Sequence, residues 1–134
     1  MLKVTADTNI YISALNFGGK PLQCLELARS ERIELAISNA IITEMSRILF
    51  NKFSWRREDV RDAVDQILGF TRYVHPHEMI DAVPADPDDN RTLECAVKAG
   101  SEIIVSGDTD LLTLRTFRGI EIVRVSDLLE RLVS

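Results

Sequence analysis

Ile103-Ile104-Val105-Ser106-Gly107-Asp108-Thr109-Asp110-Leu111-Leu112 is the stretch whose reading decides the fold. Three β-branched residues form a short buried strand, Ser-Gly turns the chain, and two acids stand where an apolar helix starts. A matching junction opens the chain: Leu2–Ala6 reads as a strand, and Asp7-Thr8-Asn9 closes it. Carboxylates at the ends of buried strands lose hydration and repel one another, so they need compensation. A bound hard cation is the simplest source of it, and it points to metal-dependent phosphodiester chemistry.

Outward from these two junctions, strands and helices alternate with short turns, the pattern of a mostly parallel sheet covered on both faces. A short helix is expected over Ile10–Leu15, a flexible break over Asn16–Lys20, and a helix from Pro21 to about Ser30. Glu34–Ile37 reads as the second strand, and Ser38 can cap a helix over about Asn39–Phe50 that buries Ile41, Met45, Ile48 and Leu49. The periodicity predicts a helix over Arg57–Leu68, a strand over Thr71–Val74 and, because Pro76, Pro84 and Pro87 interrupt it, a loop from His75 to Asp88. Helix resumes over Asp89–Ala99. After the Ile103–Val105 strand come a helix over Asp110–Leu114, a strand over Glu121–Val123 and a closing helix over Asp127–Leu132. The expected architecture is one domain spanning residues 1–134, a three-layer α/β/α sandwich with a central, mostly parallel sheet of about five strands.

The composition, 46% hydrophobic and 28% charged, is ordinary for a globular domain of this size. No apolar run approaches the roughly 20 residues that span a bilayer. Asp7 also interrupts the first strand before a signal-like segment forms, so a cytoplasmic protein without membrane attachment is expected. Cys24 and Cys95 stand apart among apolar neighbours and read as core residues, not a disulfide or thiolate site. The net charge of −5 disfavours a dedicated nucleic-acid binder, yet it is compatible with an enzyme that grips phosphates through a metal and a few arginines.

Four carboxylates converge on one rim. Asp7 and Asp108 follow strands whose carboxyl ends gather ligands in open parallel sheets. Glu44 lies three residues after Ile41 and four before Ile48, on the flank of a buried stripe near its helix start. Asp89 lies four before Leu93, also at the entry end of a buried face. Taken singly, each acid could be a helix cap, a turn residue or a solvated side chain. Jointly they fit an all-oxygen site, which favours Mg²⁺ or Mn²⁺ over zinc. His75 and His77 read either as surface groups or as contacts to a substrate phosphate, and Arg47 either as a phosphate contact or as an ion-pair partner of Glu44. A glycine loop for nucleotide phosphates is missing from the sequence, and the Lys that a phosphoacceptor receiver domain needs has only Arg115 and Arg124 near its place.

Four segments together resemble the PIN (PilT N-terminal) domain, and within it the branch of toxin components of toxin–antitoxin systems, the VapC-like ribonucleases. They are Val4–Asn9, Ser38 through Glu44 to Leu49, Asp86–Asn90, and Ile104–Leu112. The resemblance implies the sandwich fold already read from the alternation. It also implies a divalent-metal-dependent endoribonuclease in which Asp7, Glu44, Asp89 and Asp108 bind Mg²⁺ or Mn²⁺ and cleave RNA. Asp110 would be a frequent fifth metal ligand, with Asn9 and Ser106 as polar supports. Asp88 competes with Asp89 for its place, and helix phase favours Asp89. Thr5 and Ala6 stand where bulkier apolar residues are common, an exchange expected to loosen the first strand without removing the site. The implied partners are an RNA substrate, a cognate antitoxin that enters the cleft, and a second copy of the chain or a higher homo-oligomer.

The alternatives are an RNA- or partner-binding module with weak or no catalysis, and a nuclease directed at DNA, since metal chemistry alone does not read the 2′-hydroxyl. Phe50, Phe53 and Trp55, ahead of the Arg57–Leu68 helix, read as core packing or as a self-association surface.

Overall fold

A computed structural model of the chain describes residues 1–133. The chain runs β1 (Leu2–Ala6), α1 (Thr8–Phe17), α2 (Gly19–Arg29), β2 (Ile33–Ser38), α3 (Asn39–Lys52), α4 (Arg57–Leu68), β3 (Thr71–Val74) and α5 (Pro87–Ala99). It continues through β4 (Ile103–Val105), α6 (Thr109–Leu114), β5 (Thr116–Phe117), β6 (Ile120–Val123) and α7 (Val125–Val133). The strands order as β3-β2-β1-β4-β6-β5, and every neighbouring pair is parallel except β5 with β6. From β1 the chain moves outward to β2 and β3, then returns to place β4 on the other side of β1. That reversal opens a crevice beyond the carboxyl ends of β1 and β4, the usual ligand position in such sheets.

Right-handed crossovers put the helices that follow β1 and β2 on one face and those that follow β3 and β4 on the other. In keeping with this, α2 and α3 pack on β2 and α4 on β3, while α5 covers β1, β2 and β3 and α6 covers β6. The result is the three-layer α/β/α sandwich with a mixed, mostly parallel sheet. Val4, Leu35, Ile37, Ile104, Val105, Leu93 and Leu111 are fully enclosed between the layers. Thr5 and Ala6 do not loosen β1. Both are buried, and the Thr5 hydroxyl bonds Ser101 Oγ at 2.8 Å, so the small polar residue is matched by a partner at the end of α5.

Three local differences from the sequence reading have physical causes. The sixth strand, β5, pairs only two residues with β6 around Arg118-Gly119, whose φ values of 50° and 82° make the tight turn natural to hairpins. The break expected over Asn16–Lys20 contracts to Gly18 at φ 71°, whose N–H closes on Ala14 O while α2 starts at once. The loop expected to run to Asp88 ends earlier, because Pro87 is the first helical residue of α5 and Asp86 caps it.

Among the described residues no helix is long and apolar enough to cross a membrane. Cys24 and Cys95 are free and buried, and burial pushes both thiols up to about 12.

Candidate metal centre

Three helix starts and one helix flank surround a cleft of about 170 Å³ beyond β1 and β4. Asp7, Asn9, Glu44, Asp86, Asp88, Asp89 and Asp108 line it, with Thr8, Ile48 and Thr92 between them. Asp7 is the N-cap of α1 and accepts from the Ile10 amide at 3.2 Å. Asp108 is the N-cap of α6, accepting from the Asp110 and Leu111 amides at 2.8 and 3.3 Å. Asp86 is the N-cap of α5 and accepts from the Asp88 amide at 3.1 Å. Capping engages one oxygen of each carboxylate, and in Asp7 the second oxygen is taken as well.

Ser106 joins two of these acids. Its hydroxyl donates to Asp7 Oδ2 and accepts the Asp108 amide at 2.9 Å. The Ser106 side chain is fully buried, and its own amide bonds Val123 O at 3.0 Å, so the bridge is anchored in the sheet.

The carboxylates of Asp86, Asp89 and Asp108 each offer an oxygen within 4.8 Å of the others. Asp89 is 6% exposed, and its Oδ2 is buried without a hydrogen-bond partner. Burial first, then the charges of Asp108 and Asp86, lift its pKa to about 8. Burial likewise raises Asp7 to about 6, against the bonds from Ser106 and Ile10 that favour its anion. Glu44 rises to about 7 through burial and a hydrogen bond with Asp88, which a bond with Thr8 partly opposes. Acids held this far above their ordinary range call for a positive charge, and an orphaned oxygen beside two other carboxylates suits a hard cation. The donor set is all oxygen, so the cluster can coordinate a divalent metal.

The structure gathers Asp7, Glu44, Asp89 and Asp108 around this one cleft. Asp89, not the exposed Asp88, joins the close cluster, while Asp7 and Glu44 line the cleft outside it. Asn9 is exposed on the rim. Asp110 is also exposed, and its amide, not its carboxylate, is what bonds Asp108. Asp86 was missed by the sequence reading. An acid directly before a proline that can start a helix was the available signal, since that is an N-cap position.

Asp86 owes its position to α5. Asn90 Oδ1 accepts from the Ala82 and Val83 amides at 2.9 and 2.8 Å, and its Nδ2 donates to Val83 O at 3.0 Å. Glu94 Oε2 accepts the Ile80 amide at 2.8 Å and Arg91 Nη2 at 2.7 Å. The proline-rich loop is thereby fastened to the helix that follows it.

His75 and His77 are both exposed. Arg47 is exposed too and lines a separate groove with Ser46, Phe50, Arg57 and Val60; among the described residues it makes no ion pair with Glu44. The aromatic segment divides. Trp55 packs against the core and donates Nε1–H to Asn16 Oδ1 at 2.9 Å, whereas Phe50 and Phe53 stay partly exposed and Phe53 meets the exposed Phe17 edge-on at 6.1 Å.

A model of the PIN domain matches residues 3–110. The uncharacterized protein MJ1680 of Methanocaldococcus jannaschii is 29% identical over 119 residues, which are 85% of this chain and 76% of that protein. Among solved structures, the fold is similar to VapBC2 from Rickettsia felis bound to a DNA fragment from their promoter, with a TM-score of 0.67 and 15% identity over 90% of this chain and 97% of that one. PAE2754 from Pyrobaculum aerophilum gives a TM-score of 0.65 and 15% identity over 98% of this chain and 90% of that one. DNA-bound VapBC from Salmonella typhimurium gives 0.63 and 16% over 93% and 99%. At these identities the structural likeness is one of fold.

Proposed function

The chain belongs to the PIN domain family, and from that premise we propose that it is a divalent-metal-dependent endoribonuclease acting as the toxin of a toxin–antitoxin pair. One observation carries the reading: Asp89, whose buried Oδ2 has no hydrogen-bond partner, offers a carboxylate oxygen within 4.8 Å of oxygens of Asp86 and Asp108 beside the crevice between β1 and β4.

Asp86, Asp89 and Asp108 would hold Mg²⁺ or Mn²⁺ together with Asp7 beside them, with Glu44 completing the acidic wall and Asp110 near its rim. A cation held there would supply a lowered pKa for water and neutralise charge developing on the phosphate. The remaining work falls to the chain. Ser106 fixes the orientation of the Asp7 carboxylate, a constraint that narrows the directions in which its oxygens can face. Caps on α1, α5 and α6 hold Asp7, Asp86 and Asp108 against their mutual repulsion. Glu44, on the wall of the cleft, can accept a proton from attacking water. Asn9 on the rim can hydrogen-bond the ribose or phosphate of the substrate.

The structural likeness to VapBC and VapBC2, both seen with DNA, supports a partner antitoxin that joins the toxin to nucleic acid. A cytoplasmic location follows from that reading.

The test is cleavage of structured and single-stranded RNA, and of the same sequences as DNA, by purified protein with Mn²⁺, Mg²⁺ or chelator. Metal-dependent RNA cleavage that Asp7→Asn abolishes is the expected result. Equal cleavage by that variant would locate the activity elsewhere, and preference for DNA would replace the substrate.

A further inference from the structure

A second pocket of about 290 Å³ opens beside the acidic cleft, and the same two helices line both. Helix α3 gives Ala40 to the pocket and Glu44 to the cleft, about one turn or roughly 6 Å of rise apart. Helix α5 gives Arg91 to the pocket and Asp88 to the cleft, three residues apart. Ser38, at the pocket's base, continues the β1–β2 register that pairs Thr5 with Ala36, so it sits level with Asp7 on the neighbouring strand. The two cavities are therefore adjacent stations along the carboxyl edge of one sheet.

Their chemistry is opposite. The cleft offers acceptors; the pocket's uncommitted groups are donors. Ser38 is 1% exposed and occupies the N-cap position of α3, yet its Oγ makes no capping bond and has the buried Cys95 thiol as its polar neighbour. The opening amides of α3, at Asn39 and Ala40, therefore go without the side-chain cap that α1, α5 and α6 each have. Arg91 Nε is also buried without a partner. The one carboxylate in the wall, Glu94, is already committed to the Ile80 amide and Arg91 Nη2. His75 and Tyr73, ring to ring at 4.8 Å, form the outer wall. Uncapped amides at the start of a long helix, a serine hydroxyl beside them and a guanidinium nitrogen without a partner match an anion rich in acceptor oxygens.

We propose that this pocket is a phosphate subsite, which receives the phosphate of a nucleotide next to the scissile bond of an RNA strand held in the acidic cleft. The inference rests on the nuclease reading for the identity of the strand. It explains how an acidic chain can retain a polyanion: the phosphate that must approach the carboxylates is balanced by a neighbour seated on donors. The exposed Tyr73–His75 pair then lies where a flanking base or sugar can stack.

The experiment is a ¹H–¹⁵N titration of the Asp7→Asn protein with a short single-stranded RNA, and separately with inorganic phosphate. It is accompanied by cleavage kinetics of Ser38→Ala and His75→Ala on a dinucleotide and on a longer RNA. Saturable shifts at the Asn39 and Ala40 amides are expected with RNA. For the variants, KM is expected to rise about tenfold on the longer RNA, with kcat and dinucleotide cleavage unchanged. Amide shifts without cleavage by any protein would keep the subsite and overturn the nuclease. Cleavage with silent Asn39 and Ala40 amides and unchanged KM would overturn the subsite and keep the nuclease. Should Ser38→Ala not fold, His75→Ala, which alters only an exposed ring, decides the kinetic arm.

Discussion

Ser106 donates its hydroxyl proton to Asp7 Oδ2 across the boundary between β4 and β1, so one small side chain ties together the two strand ends that define the cleft. Ser106 Oγ in turn accepts the Asp108 amide, and both acids therefore depend on this hydroxyl.

Replacing Ser106 with Ala leaves the buried Asp7 oxygen and the Asp108 N–H without their partner. Such a loss costs about 1–3 kcal/mol, which for a domain of this size lowers the melting temperature by roughly 5–10 °C. Loss of the orienting bond is also expected to weaken Mn²⁺ binding by about 10–100-fold. Calorimetric titration with Mn²⁺ and thermal unfolding in chelator read the two effects separately; unchanged Mn²⁺ affinity would remove the orienting role.

Asp89→Asn removes charge from the most strained acid while keeping its shape. Without cation the variant is expected to be more stable than the parent by about 1 kcal/mol, or a few degrees. With saturating Mg²⁺ the order should reverse, because only the parent gains from binding. Unfolding curves with and without cation check both signs.

The stability of the metal-free chain should fall as pH rises. Asp7, Glu44 and Asp89 have folded pKa values raised to about 6, 7 and 8, burial being the largest cause in each. The folded state thus holds more protons than the unfolded one, and the slope of stability with pH is negative. The contribution is complete below about pH 4 and lost as pH climbs through about 6 to about 8. A lower melting temperature in chelator at about pH 8 than at about pH 5 is expected, with divalent cations rescuing most at the alkaline end. A flat profile in chelator would contradict the raised values.

Asn90→Ala should release the loop that delivers Asp86. Three hydrogen bonds are lost, two of them at the Ala82 and Val83 amides. A stability loss of about 2–3 kcal/mol is expected, with hydrogen exchange accelerated most between residues 78 and 86. Uniform acceleration over the whole chain would show that Asn90 supports the domain and not the loop.

Phe17 and Phe53, edge-on at 6.1 Å, leave an exposed aromatic patch at the C-terminal ends of α1 and α3. Self-association through it predicts a dimer by light scattering that Phe17→Ser and Phe53→Ser convert to monomer. A monomeric parent at micromolar concentration would remove that role.

The strand-end acids were legible because local patterns carry them. Asp7 and Asp108 follow apolar strands, and the α3 and α5 periodicities place Glu44 and Asp89 on buried flanks. Asp86 was hidden by Pro87, which reads as a breaker until it is recognised as a helix's first residue. The Ser106 bridge joins residues 99 apart in sequence, and the fastening of the proline loop depends on side chains of a helix not yet formed when the loop is read. Two-residue β5 is too short to show any period. What escaped the sequence was long in separation or brief in extent.

The caps at Asp7, Asp86 and Asp108 make each of these acids part of the backbone geometry of its own helix. A cation bound as proposed would meet carboxylates already fixed in place, and its radius would then matter. Mg²⁺ keeps several waters and would need only one or two of these carboxylates, whereas Ca²⁺ takes six to eight oxygens at longer distances and would need the capped acids to shift to supply more of them. Calcium should therefore occupy the cleft weakly and leave the melting temperature nearly where chelator puts it.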